Sequence, residues 1–180
     1  IAAFAGEPEE THKRGCDFLN RYCKCSAART DIVITTNGGY PLDQNLYQCV
    51  KGMTAAEACC AEDGVIIMAG ACDDGSGGES FYKTVKNCVS PQILLKETGE
   101  ISMEDTQPDQ WEYQILARIL SQFTVIFIAR PKAKQMIENM KMIYASSVDE
   151  AVQMALRMKG AHARFTVIPD GISVIVNGGG

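Results

Sequence analysis

Three short runs rich in β-branched residues, DIVITT (31–36), GVIIMA (64–69) and TVIFIA (124–129), alternate with helical segments. That order predicts an α/β fold built on an open, mainly parallel sheet. Each run is almost continuously apolar, as strands buried on both faces are, so helices are expected on either side: a three-layer, Rossmann-like arrangement. Composition agrees, since 180 residues with 46% hydrophobic and 22% charged side chains can close one core. Intrinsic disorder is thereby excluded, and residues 1–180 are expected to form a single α/β domain.

The elements follow in chain order. Residues 9–25 form a moderately periodic helix whose Cys16, Leu19 and Cys23 share a face, with Gly15 as its weak point, and this helix is expected to cover the sheet. After the first strand, residues 45–53 read as helix, and Thr54-Ala-Ala-Glu57 has the capping-box spacing that predicts a restart as far as Ala61. The second strand leads to a helix near 79–87, another opened by the cap and N1 pair Ser90-Pro91, and a longer one over 109–122. Parallel strands joined this way imply right-handed crossovers. Ser147-Val-Asp-Glu150 opens a last helix that Gly160 can close in a left-handed conformation. FTVI (165–168) and ISVIV (172–176), around Pro169-Asp170-Gly171, predict a C-terminal β-hairpin. There is no internal repeat, and Gly178-Gly-Gly180 is the sole low-complexity stretch.

Charge and composition remove several function classes. Seventeen Lys+Arg against 22 Asp+Glu give a net charge of −5 and a pI near 5.1, which argues against a nucleic-acid binder. No apolar stretch approaches the roughly 18 to 20 residues that span a bilayer, so a soluble, cytoplasmic protein without a membrane partner is expected. The chain begins at Ile1 without a signal-peptide pattern and is expected to be a piece of something longer. Eight cysteines stand at 16, 23, 25, 49, 59, 60, 72 and 88, but Cys23-Lys-Cys25 and Cys59-Cys60 lack CxxC spacing. They are expected to be reduced thiols, mostly small core fillers, and no metal site is expected. His12 and His162 are the only imidazoles, so chemistry needing several histidines cannot be complete within this chain.

In an open parallel sheet, ligands bind beyond the carboxyl ends of the strands, where loops and helix N-termini converge. Two polar, glycine-rich loops fall there: NGGYPLDQ (37–44), with Gly38 and Gly39, and GACDDGSGG (70–78), with Asp73 and Gly75. Paired glycines allow close backbone approach to a ligand, although neither loop matches GxGxxG or the Walker pattern, and both also suit tight strand-to-helix turns. The following helix carries Tyr47, Gln48 and Lys51 at i,i+4 and i,i+3 spacing. A phenol, an amide and an ammonium on one face suit a small carboxylate or hydroxy acid; a solvated lysine is the plainer alternative. Asp43, Asp73, Asp74 and Glu79 read more readily as turn or cap acids than as bases. Trp111, the sole tryptophan, reads first as a packing anchor and second as a ligand wall. His12 and His162 read as surface residues.

Residues 31–57, DIVITTNGGYPLDQNLYQCVKGMTAAE, together resemble the hallmark segment of the C-terminal domain of the nickel-dependent lactate racemase family. The CDDGSGG loop (72–78) followed by Glu79-Ser-Phe81, the opening Ala5-Gly6-Glu7-Pro8 and the closing Pro-Asp-Gly turn are similar to that family as well. The resemblance is strongest over 31–57 and looser between about 90 and 160. It implies the C-terminal half of a two-domain 2-hydroxy acid racemase or epimerase using a nickel pincer nucleotide. That cofactor would be bound mainly by an N-terminal domain bearing the nickel ligand, the cofactor-linked lysine and both catalytic histidines. No catalytic residue is thus assigned here, and the chain alone is expected to be inactive. By the resemblance, Gln48 and Lys51 contact substrate or cofactor, with Tyr47 and Trp111 lining the same crevice and Gly38, Gly39, Asp73 and Gly75 in the flanking loops. Segments 1–7 and 164–177 are expected to pack on the N-terminal domain, or on a second copy of this chain in a homodimer. A non-catalytic domain that binds small anions or nucleotides is the alternative.

Overall fold

The computed structural model describes residues 1–178; residues 179–180 of the terminal glycine run lie outside the described residues. Its elements are α1 (Pro8–Cys23), β1 (Lys24–Ala27), β2 (Thr30–Thr36), α2 (Leu46–Glu57), β3 (Cys60–Ala69), α3 (Glu79–Asn87), α4 (Pro91–Gly99), α5 (Gln110–Gln122), β4 (Thr124–Ile128), α6 (Lys134–Asn139), β5 (Ile143–Ala145), α7 (Val148–Lys159), β6 (Phe165–Ile168) and β7 (Ile175–Gly178). Five strands form one wholly parallel sheet in the order β5-β4-β3-β2-β6, while β1 and β7 make a separate parallel pair.

The continuous apolar runs are buried on both faces, as their composition requires. Val33, Ile66, Met68, Val125 and Phe127 point to the side packed by α2 to α6, in a core that includes Leu46, Phe81, Leu116 and Ile137. Ile32, Val65, Ile67 and Ile126 point to the other side, where α7 packs through Ala151 and Ala155. Two alanines let that helix approach the sheet closely. Helices therefore lie on both faces, as expected.

Four local expectations are corrected. Residues 46–57 form one continuous helix with no restart: the Thr54 hydroxyl donates back to the Lys51 carbonyl at 2.6 Å instead of capping a new turn, and Cys60 and Ala61 already belong to β3. Helix α1 does not cover the sheet. None of its residues is buried; Phe18 packs on Phe4 and Tyr22 instead, and the helix sits beside β1. Gly160 ends α7 with φ 91° and ψ 160°, a positive φ but not the left-handed helical well.

The C-terminal hairpin does not form: the strand over 165–168 does, and the one expected over 172–176 is displaced to Ile175–Gly178. Strand β6 joins the open edge of β2 in parallel register, and β7 instead pairs with β1, whose first two residues fall within the helix expected over 9–25. The turn between them is pinned across the end of β2, where the Gly171 N–H donates to the Thr36 carbonyl at 2.8 Å. Asp170 holds this crossing by accepting from the Ile172 and Ser173 amides and the Ser173 hydroxyl. The otherwise unpaired edge of β2 competes for β6 more effectively than its sequence neighbour does. Strand β5, only three residues long, also went unforeseen.

Candidate functional site

The two glycine-rich loops meet at the carboxyl ends of β2 and β3, where they are laced together. Asp43 accepts from the Ala71 amide at 3.0 Å through its side chain and from the Cys72 amide at 3.0 Å through its carbonyl, and the Asp74 amide donates to the Gln44 carbonyl at 2.8 Å. Asn37, fully buried, donates to the carbonyls of Leu42 and Gln48 at 2.6 and 2.7 Å and so fixes the first loop against α2. Gly52 is required opposite it, since any Cβ there would collide with Asn37 Oδ1. Gly38, at φ 74°, packs against Asp170.

Helix α2 begins at Asn45, whose Oδ1 accepts from the Gln48 amide at 3.0 Å. The next two amides, Leu46 and Tyr47, donate at 3.0 Å to the carbonyls of Gly75 and Ser76. The N–H groups that would cradle a phosphate at this helix start are already engaged, which disfavours a nucleotide site of that kind. Gly75 therefore serves the packing of one loop on the helix. Asp73 faces away toward Arg130 and Lys132, forming ion pairs at 3.0 and 2.8 Å that hold its carboxyl below the usual range, Lys132 contributing most.

One turn further along α2 the side chains take over. Lys51 Nζ donates to Gln48 Oε1 at 2.7 Å and stands 6.0 Å from the centre of the Trp111 ring. Tyr47 meets Trp111 edge-on at 5.7 Å and Phe81 at 5.5 Å. Trp111 packs on Tyr47, as expected of a packing anchor, and half of it remains exposed beside the ammonium. While its carbonyl accepts from Lys51, the Gln48 N–H₂ has no protein partner among the described residues, and Lys51 retains further N–H donors. The free groups of Lys51 and Gln48 are chiefly donors, which is complementary to a carboxylate with an adjacent hydroxyl. Tyr47, Gln48, Lys51 and Trp111 thus come together, whereas Asp73, Gly75 and Gly38 act in the loops beneath. An open cavity of about 520 Å³ lies nearby, past the ends of β2, β3 and β4, walled by Thr36, Gly39, Asp43, Gly70 and Arg130; the four clustered residues do not line it.

Glu112, one residue beyond Trp111, was missed from sequence. It is fully buried at the start of α5, with both carboxylate oxygens lacking hydrogen-bond partners. Burial pushes its carboxyl up to about 7, with Lys51 opposing and Asp109 adding to the rise. Burial, Glu112 and Asp109 in turn raise the Tyr47 phenol. The signal was present: Glu112, Leu116 and Ile119 share the i, i+4, i+7 stripe that faces the core, and an acid on that stripe is conspicuous. Among the described residues no group of three or more His, Cys, Asp or Glu side chains is placed to hold a metal. His12 and His162 are both exposed, on α1 and after α7. No described helix is long and apolar enough to cross a membrane.

Comparison with known proteins covers most of the chain. The family model described as the lactate racemase C-terminal domain matches residues 25–176. A lactate racemase of Thermoanaerobacterium thermosaccharolyticum is 47% identical over 176 residues, and one of Lactiplantibacillus plantarum is 48% identical over 176 residues. The chain spans 41% and 42% of the lengths of those two relatives. The solved structure of the lactate racemase apoprotein from T. thermosaccharolyticum superposes with a TM-score of 0.94 at 46% identity, covering 98% of this chain and 42% of that one. A Thermotoga maritima protein of known structure, 12% identical with a TM-score of 0.56, shares the fold. A family match across most of the chain, relatives near half identity and a near-superimposable structure lead to one conclusion: the chain belongs to the lactate racemase C-terminal domain family.

Proposed function

We propose that this chain is the substrate-facing half of a two-domain 2-hydroxy acid racemase or epimerase, with lactate the first substrate to test. The observation that carries the reading is the pair of free donors, the Lys51 ammonium and the Gln48 N–H₂, beside Trp111. Lys51 binds the substrate carboxylate and Gln48 donates to its hydroxyl or second carboxylate oxygen, with Trp111 and Tyr47 limiting how far the substrate tilts. The substrate's C–H is left facing the other domain. Orientation, not proton transfer, is the role of these residues, because no imidazole belongs to this cluster.

The residues present do not form a nickel site, so no step through the metal is derived from them. The nickel pincer nucleotide expected for this family would accept the substrate hydride when bound, held mainly by the N-terminal domain. Segments 1–7 and 164–177 are its docking surfaces in this reading, and the isolated chain is inactive.

The test is the full-length protein supplied with its cofactor, assayed for bound nickel and for racemisation of D- and L-lactate. Lys51→Met should lower kcat/KM by about 30- to 150-fold, the equivalent of about 2–3 kcal/mol for a lost charge-assisted hydrogen bond, with an unchanged circular dichroism spectrum. Full activity in that variant would remove Lys51 from the site. Absence of both nickel and turnover in the wild type would refute the racemase reading.

A further inference from the structure

The contact between α2 and α5 contains a group that orientation alone does not use. Glu112 is fully buried with both oxygens unpartnered, an arrangement unfavourable for an ionised carboxylate unless a positive charge compensates. Lys51 is the positive charge it feels, yet the two form no ion pair; the ammonium is turned toward Gln48. The remaining charges around it are accounted for. From α2 come Lys51 and the Tyr47 phenol, with Glu57 tied to Arg118 further along; from the start of α5 comes Asp109. On α3, Glu79 and Lys83 pair with each other at the surface and Lys86 lies over Tyr82. On α4, Lys96 and Glu97 are exposed, and so are Glu62 and Asp63 at the start of β3.

We propose that Glu112 is a positioning residue that makes anion binding at Lys51 proton-linked: ionised, it competes for the ammonium, and protonated, it leaves the ammonium to a substrate carboxylate. This rests on the reading of Lys51 as the carboxylate-binding residue. The geometry sets the competition, because the ammonium lies on α2 at 6.0 Å from the Trp111 ring at the start of α5, and the next residue of α5 is the buried, unpartnered Glu112. Burial places the titration near neutrality, with the carboxyl pushed up to about 7. A bound anion adds negative potential and engages Lys51, so it favours the protonated acid, and the proton is taken from solvent onto a Glu112 oxygen. By linkage, anion affinity is level below about pH 7 and weakens above it, by at most about tenfold per pH unit.

The experiment uses full-length protein and lactate as the probe. Calorimetry on cofactor-free protein, in two buffers of different ionisation enthalpy, counts protons taken up per lactate bound between pH 6 and 9; the KM profile of the cofactor-loaded enzyme over the same range provides a second reading. Wild type should take up a fraction of a proton, rising above pH 7, with KM climbing in parallel. Glu112→Gln should abolish the uptake and hold KM at its low-pH value. Glu112→Met, which fills the same space without polar atoms, makes the same comparison where the amide fails to fold. Wild-type pH dependence persisting in both variants, or no proton uptake by wild type, overturns the inference. Lys51→Met separates the two proposals. Loss of lactate binding in that variant, with proton uptake retained by the Glu112 variants, sinks only the role of Glu112. Undiminished binding in Lys51→Met sinks the reading of Lys51 and this inference with it.

Discussion

A single buried acid gives the domain a pH dependence that its surface does not predict. The carboxyl of Glu112 titrates near 7 when folded and near 4.5 when exposed, so between those values the native state holds more protons than the unfolded one. Stability is therefore greatest at and below about pH 4.5 as far as this group is concerned, and it is lost as pH rises through 7. The shift corresponds to a loss on the order of 3 kcal/mol by pH 8. Glu112→Met should remove that slope and raise the urea midpoint of this chain at pH 8 above that of wild type, while the two differ little near pH 5. An unchanged midpoint at pH 8 would mean that the carboxylate reaches compensation on ionising. The paired acids Asp73 and Glu150 carry the opposite sign, with depressed carboxyls whose contribution is present above their unfolded values and lost in acid.

At the level of elements, the site depends on how α2 and α5 are held together. Lys51 and Trp111 face each other near one end of this helix pair, and Arg118 clamps the other by donating to Glu57 through Nε at 2.8 Å and Nη2 at 2.6 Å. The fork is bidentate but partly solvated, so its worth is about 1 kcal/mol at most. Arg118→Ala should lower the melting temperature by about 2–4 °C. A shift well beyond that would show that the clamp also organises the core beneath it. The loops have the reverse logic: amide–carbonyl bonds from Leu46 and Tyr47 to Gly75 and Ser76 fix them to α2, and what would have been an anion cradle becomes a hinge-free scaffold for side chains.

Across the whole molecule, the sheet is covered unevenly. The face under α2 to α6 is closed, whereas the other face has α7 alone, and Val167 on the outer strand β6 is 61% exposed. Ile172 and Ile175 near the β1–β7 pair, and Leu19 and Tyr22 on α1, add to the uncovered apolar surface. We propose this surface as the place where the other domain of a two-domain protein packs. Val167→Glu should leave the melting temperature of the isolated chain unchanged and lower that of the full-length protein; equal behaviour in both would place β6 outside the domain contact.

The amino-acid order alone determined the class of fold, because three β-branched runs each buried on two faces admit little else than a parallel sheet between helices, and it placed Tyr47, Gln48 and Lys51 on one helical face by period. The span of α3 was also legible, as were the starts of α4 and α7, where Ser90 and Ser147 make local caps that need no distant partner. Strand pairing was not. β6 chose the edge of β2 over its sequence neighbour, and β7 chose β1, because hydrogen-bonding edges compete in space rather than along the chain. Nor could the sequence show that Glu112 sits buried without a partner, or that the first amides of α2 are already engaged. Burial and the electrostatics that follow from it depend on what lies across the helix interface, and only the tertiary structure decides that.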